Sequence, residues 1–426
     1  MKPFWNRVAA TAATALVLSV ATPAGAQKVT LDVLYAQPGF AKYHEPIAQA
    51  FMKAHPDVEI KFRAPAKDYD EGHQAMLRAA VANQLPDVYF PGFHLLAELS
   101  STLEKRGQIV DLGPKLAAEP AAWRSENYTD SVIKLGQVNG KQYGLAVNAS
   151  LPILYFNADL VKKAGGDPAK MPNTFDGVIA LAAKIAATSP GVAGMSYDTH
   201  VWPDTWLFQA IIDQEGGRML DDSGKIAFDN AIGRKVMNDL RRFVTEGKMP
   251  LLDFEASRAQ FIAGQTGLFF DTPARMRLMT DGIGSRFTLG TTVFPIDDKA
   301  KGGIPTGGCA IIMTTKDAAK QKAAWEYAKF ITGPEAQTII VEITGYLPLN
   351  KRATGPQFLG PFYEKNPNFR TVSLQVDRAL PWQGYPGDTV RIWRMQRDII
   401  YEVMRGQLAP DAGLEKMVTE TRAMLK

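Results

Sequence analysis

Cysteine is almost missing from this chain of 426 residues, in which Cys309 stands alone. An intrachain disulfide is therefore excluded, and so is a metal centre built on paired thiolates. Cys309 sits in Gly307-Gly308-Cys309-Ala310-Ile311-Ile312, at the head of an apolar run. With no histidine nearby in the sequence, a small buried residue is a simpler reading than a nucleophile. Histidine is nearly as scarce. His44, His55, His73, His94 and His200 are scattered, and no two share the spacing that puts ring nitrogens on one helical face. No metal and no cofactor is expected. The Gly-x-Ser-x-Gly elbow, the P-loop and the His-Glu-x-x-His pair are missing too. The doublets Asp221-Asp222 and Asp297-Asp298 lie in turn-like stretches with Gly and Lys, where carboxylates serve turn chemistry. A sugar hydrolase would need two carboxylates facing one bond, and nothing in the spacing marks such a pair.

Charge of one sign is also in short supply. Lys and Arg total 48 against 44 Asp and Glu, a formal net charge of +4, with no long basic or acidic block. That balance argues against a nucleic-acid partner. Beyond the first 26 residues no apolar run is long enough to cross a bilayer.

Those first residues are informative in themselves. Lys2 and Arg7 precede the apolar stretch Val8 to Val20, and Ala24-Gly25-Ala26 follows as a small-x-small site. This is the pattern of an export signal, residues 1–26, with a chain destined for the periplasm. Loss of Lys2 and Arg7 with the leader lowers the formal charge from +4 to +2. No Cys follows the apolar stretch, so a lipid anchor is not expected.

The remaining length calls for two cores. Strand-like alternation at 30–35 and 58–62 and the short run 87–90 are separated by helical patterns at 41–54 and 70–83. This order predicts a mostly parallel sheet covered by helices. A second series follows, with strand-like 153–156, 267–270 and 288–293. Helical patterns occur at 159–164, from Thr174 as N-cap, and at 231–246, 255–263, 316–331, 334–344, 388–405 and 411–425. The fold class is α/β. Open α/β sheets bind ligands at the carboxyl ends of their strands, so functional side chains are expected in the loops just after strands.

Aromatic residues gather at such turns. Trp202 and Trp206 flank Pro203-Asp204-Thr205, Phe90 and Phe93 flank Pro91-Gly92, Tyr346 follows Gly345, and Trp382 follows Pro381. Rings there can stack on the C–H face of a sugar while polar neighbours bind its hydroxyls. Core packing is the competing explanation for any single ring.

Several strings then resemble a known family. They are Pro305-Thr306-Gly307-Gly308-Cys309-Ala310, Trp325-Glu326-Tyr327-Ala328-Lys329-Phe330, Pro334-Glu335-Ala336-Gln337, Thr344-Gly345-Tyr346-Leu347-Pro348-Leu349, Phe362-Tyr363-Glu364-Lys365-Asn366-Pro367 and Asn148 to Asn157. Together they resemble the family 1 extracellular solute-binding proteins, the maltose-binding-like class of bacterial ABC importers, and most of all its glycerol-3-phosphate-binding members. The resemblance implies two α/β lobes joined by hinge segments around an interlobe cleft. It places one lobe at 27–140 plus 267–312 and the other at 141–266 plus 313–426. It further implies a monomer without catalysis, whose ligand-closed form is recognised by membrane permease subunits. Of the site residues it implies, Tyr69, Asn148, Ser150, Trp202, Trp206, Gly307, Gly308 and Tyr346 match. At three places the glycerol-phosphate pattern is broken: Phe90 or Pro91 stands in place of an acid, Pro273-Ala274 in place of a serine, and Trp393 in place of an arginine. Thr272, Arg275 and Arg391 are the polar residues near those breaks. More aromatic surface and less fixed anion chemistry point to a carbohydrate or sugar-like polyol. A glycerol phosphate or phosphodiester is the alternative, and a sugar hydrolase is the reading from another class.

Overall fold

The computed structural model describes residue 1, residues 28–200 and residues 204–425. Beyond Met1, the expected leader lies outside the described residues, as does Trp202. Among the described residues no helix is long and apolar enough to cross a membrane.

The first sheet has six strands. Val29–Leu34 runs parallel to Val58–Phe62 on one side and to Val88–Tyr89 on the other. The expected parallel arrangement ends there. Ile304–Met313 joins Val88–Tyr89 antiparallel, and Gly144–Ser150 lies antiparallel beyond it. The second sheet holds Leu289–Thr292, Ile153–Asn157, Thr266–Asp271 and Ala193–Ser196 in that order, and only its last pair is parallel. The cause is topological. Parallel neighbours need a crossover, which the helices Ala41–Ala54 and Tyr69–Ala82 supply early in the chain. Ile304–Met313, by contrast, enters the first sheet by returning from the second, after Leu289–Thr292.

The sheets divide the chain differently from the expected lobes. Thr266–Asp271 pairs with Ile153–Asn157 and so belongs with the second core, not the first. The helices Ala318–Ile331 and Pro334–Ile343 bury Trp325, Tyr327, Ile331 and Ile340 in the first core, together with Leu31, Phe51 and Ile311. The strands Gly144–Ser150 and Ile304–Met313 mark the true crossings. Pairing of backbone groups decides the matter here, and hydrophobic pattern along the chain does not report it.

Ile304–Met313 is buried along its whole length and serves both lobes. Residues 304–306 pair with Ala379–Pro381, and residues 307–312 with Gly144–Ser150. Its register slips between Cys309 and Ala310. Gly308 stands just before the slip at φ +115°, where a Cβ would lie 2.2 Å from the Asn148 carbonyl oxygen. Glycine is needed for both reasons. The Asn148 side chain completes the irregularity, its Oδ1 accepting the Cys309 N–H at 3.1 Å.

In the second lobe the end of Thr266–Asp271 is fixed by charge. Arg258, 3% exposed, donates from Nε to Asp271 Oδ2 at 3.3 Å, and Asp271, 1% exposed, accepts the Thr272 N–H through Oδ1 at 2.7 Å. Replacing Arg258 by Met leaves a buried carboxylate unpaired. A loss of about 3–5 kcal/mol in urea unfolding is expected.

Candidate ligand-binding cleft

Local chemistry places side chains from both lobes at the mouth of the crossing. Asp68 caps the helix Tyr69–Ala82, accepting the Glu71 N–H at 2.8 Å, while Glu71 Oε2 accepts the Lys67 N–H at 3.0 Å. This reciprocal cap fixes Tyr69 in the first helical turn, after the strand Val58–Phe62. In the second lobe Asp204 Oδ1 accepts the Trp206 N–H at 2.9 Å where the helix Trp206–Asp213 begins. Thr272 Oγ1 accepts the Ala274 N–H at 3.1 Å and starts the short turn Pro273–Arg275, directly after Thr266–Asp271. Strand ends and helix starts therefore supply the cleft.

These residues enclose one cavity. It is lined by Tyr69, Gln37 and Tyr346 from the first lobe and by Asp204, Trp206, Thr272, Ala274, Arg275 and Trp382 from the second, with Ser150, Gly307 and Gly308 at the crossing. The enclosed space is about 50 Å³, a few times what one water needs, so the lobes stand close together. Two hydrogen bonds tie the lobes across it. Ser150 Oγ and Thr272 Oγ1 are 2.7 Å apart, and Arg275 Nη2 donates to Gln37 Oε1 at 3.0 Å. Arg275 Nε is buried without a protein partner. Trp206 Nε1 donates to the Pro305 carbonyl at 2.9 Å, and a Cβ on Gly307 would lie 3.1 Å from the Trp206 ring. The bare glycine lets that ring lie against the strand.

Aromatic contacts extend the wall. His94 of the first lobe packs on Trp382 of the second with ring centroids 3.6 Å apart, and Trp393 lies behind both. Beyond this stack a larger chamber, of about 500 Å³, opens between the helix Phe93–Lys105 and residues 384–389.

Titratable groups at the closure are strongly perturbed. Burial pushes Asp204 up to about 8, opposed by the Trp206 N–H and reinforced by Asp70 and Asp68 across the gap. Burial pushes Asp70 up to about 7, with Asp68 adding to it and Arg394, His73 and Arg397 opposing. Burial holds His94 well below the ordinary imidazole range, with His73 contributing, so His94 is neutral.

Several expected site residues do not line the cavity. Asn148 is spent on the register slip at Cys309, with Nδ2 facing the Tyr43 hydroxyl and the Cys309 thiol, each at 3.4 Å. Phe90 packs edge-on against His44 within the first core. Trp393 is fully buried behind Trp382. Arg391 is exposed on the outer side of the helix Thr389–Met404, near Asp388 and Glu420. Gln37, Asp204 and Ala274 are cavity residues the sequence reading missed, and Trp382 had been noted only as a turn aromatic. The one usable signal for Gln37 was its place before Pro38-Gly39, just past a strand.

With this geometry in hand, comparison with known proteins is decisive. The sequence profile of the family described as "Bacterial extracellular solute-binding protein" matches residues 36–338. The chain belongs to this family. It is 24% identical over 297 residues to the sn-glycerol-3-phosphate-binding periplasmic protein of Agrobacterium fabrum, covering 68% of each. It is 25% identical over 313 residues to the protein of that name from Yersinia pseudotuberculosis, covering 70% of this chain and 69% of that one. Its fold matches UgpB from Mycobacterium tuberculosis in complex with glycerophosphocholine, with TM-score 0.80, 19% identity and coverage of 93% and 98%. It also matches maltose-bound T. maritima MalE3, with TM-score 0.80, 18% identity and coverage of 93% and 100%. The two-lobed architecture is thus common to this chain and these two solved structures. Among the described residues no group of three or more His, Cys, Asp or Glu is arranged to hold a metal.

The perturbed groups of this solute-binding cleft carry a pH dependence. Asp204 and Asp70 hold protons in the closed form that they lose near pH 4 when free in water. Their contribution to closure is complete below that pH and lost as pH rises through about 7 and 8. Neutral His94 acts oppositely, losing its contribution as pH falls below its ordinary value of 6.5. Asp204→Asn removes part of the alkaline loss. Its melting temperature should fall less than the wild type's between pH 6 and pH 9, as read by differential scanning fluorimetry.

Proposed function

We propose that this protein is the periplasmic receptor of an ABC importer, capturing a sugar-like polyol or its phosphate ester between its lobes and delivering it to the permease. The observation that carries this reading is the cavity itself, whose walls come from both lobes. Only the closed form lets Tyr69 and Tyr346 on one side and Trp206, Thr272 and Arg275 on the other reach one ligand. A ligand therefore shifts the open–closed equilibrium by the contacts that closure adds. The family and the structural neighbours are binding proteins, which supports a binding role over a catalytic one. The protein acts as a monomer.

Indole and phenol rings suit the C–H faces of a polyol, and hydroxyls from Ser150 and Thr272 suit its oxygens. The unpartnered Arg275 Nε favours the phosphate-bearing version over a neutral sugar, because a charge-assisted bond is available there. Isothermal titration against sugars, glycerol-3-phosphate and glycerol phosphodiesters tests this. At least one should bind, and Arg275→Met should weaken a phosphate-bearing ligand tenfold or more. Silence across the panel would contradict the reading.

A further inference from the structure

One bond across the cavity is only half made. The Nε and Nη2 atoms of Arg275 share one edge of the planar guanidinium, the edge that takes two oxygens of a carboxylate or phosphate side by side. Nη2 donates to Gln37 Oε1 at 3.0 Å, while Nε is buried without a protein partner. Gln37 cannot satisfy both. A carboxamide has a single oxygen, and its other end is an NH₂ group that itself donates. Nor does it bring a charge to oppose the guanidinium.

The turn that carries Gln37 is shaped for this contact. Gln37 has φ +66° and ψ +96°, a backbone conformation that residues with a Cβ rarely adopt. Its N–H donates to the Ala66 carbonyl at 2.8 Å, and its own carbonyl accepts the Phe40 N–H at 2.9 Å. Pro38 follows and disfavours the helical alternative at Gln37. The same turn sets the centroid of the Phe40 ring 5.4 Å from the guanidinium carbon of Arg275. The first lobe thus holds Arg275 of the second through a side chain that lines the solute cavity.

We propose that Gln37 is a specificity-determining place-holder, occupying Arg275 in the empty cleft until an acidic group of the solute displaces it. The inference rests on the cleft being the solute site and on Arg275 reading an acid there. A hydroxyl of a neutral solute gives Arg275 no more than Gln37 already gives it. A phosphate or carboxylate fills both nitrogens with charge-assisted bonds, which outweighs the lost Gln37 bond. The Gln37–Arg275 bond is therefore an internal competitor, and it lowers the affinity for every solute that must break it.

Titration calorimetry of the mature chain tests this, with glycerol-3-phosphate and glucose-6-phosphate as probes. Gln37→Ala removes the competitor at a half-buried position, so at least one probe should bind about threefold or more tightly than it binds the wild type. Gln37→Glu supplies two oxygens and a charge from within the chain, so the same probe should bind about tenfold or more weakly. Melting curves establish that both variants are folded. Weaker binding by Gln37→Ala would make Gln37 a contact that the solute keeps, and unchanged binding would make it a bystander. Either result overturns the place-holder and leaves the cleft assignment standing, as does undiminished binding by Gln37→Glu. Silence of both probes on all three proteins removes the reading of an acidic solute at Arg275, and the place-holder with it.

Discussion

The antiparallel pairing of Gly144–Ser150 with Ile304–Met313 is the constraint on which the rest depends. Both strands leave the first sheet at the same point, and each continues toward the second lobe. The pair therefore fixes where the lobes pivot and which strand ends face each other. Gly308, with its left-handed backbone, and Asn148, bonded to the Cys309 amide, hold the slip in register at that point. Ser150 and Gly307 then emerge at the base of the cavity because they sit where the paired segment ends.

Closure has opposing terms. The Ser150–Thr272 and Arg275–Gln37 bonds and the His94–Trp382 stack favour it. Each direct hydrogen bond contributes about 1 kcal/mol net, because open lobes would bind water instead. Against them stands the cost of burying Asp204 and Asp70, which burial pushes up to about 8 and about 7. A binding protein needs this near balance. Were the closed form strongly favoured without ligand, differential affinity could not move the equilibrium. A solute that adds contacts to both lobes tips it.

Much of the fold was legible because periodicity reports local structure. The helix expected at 41–54 is Ala41–Ala54, and Thr174 caps its helix through Oγ1 to the Gly177 N–H. What the pattern could not report is which strands pair. Thr266–Asp271 has the same apolar character as a strand of the first sheet, and only its hydrogen bonds to Ile153–Asn157 assign it to the second. The cleft shows the same division. Tyr69 and Tyr346, expected by resemblance, face the cavity. Asn148, expected by the same resemblance, and Trp393, which stands where that pattern has an arginine, are consumed by the strand register and the second aromatic layer. Asp204 gave no warning in the sequence, since its importance lies in the acids of another lobe.

The central claim is that one small solute is held between the lobes at this crossing. A crystal structure of the mature chain purified with its own cargo tests it most directly. The account predicts density in contact with Tyr69, Trp206, Arg275 and the Gly307-Gly308 segment. Cargo seated outside the interlobe cavity, touching one lobe only, would contradict it.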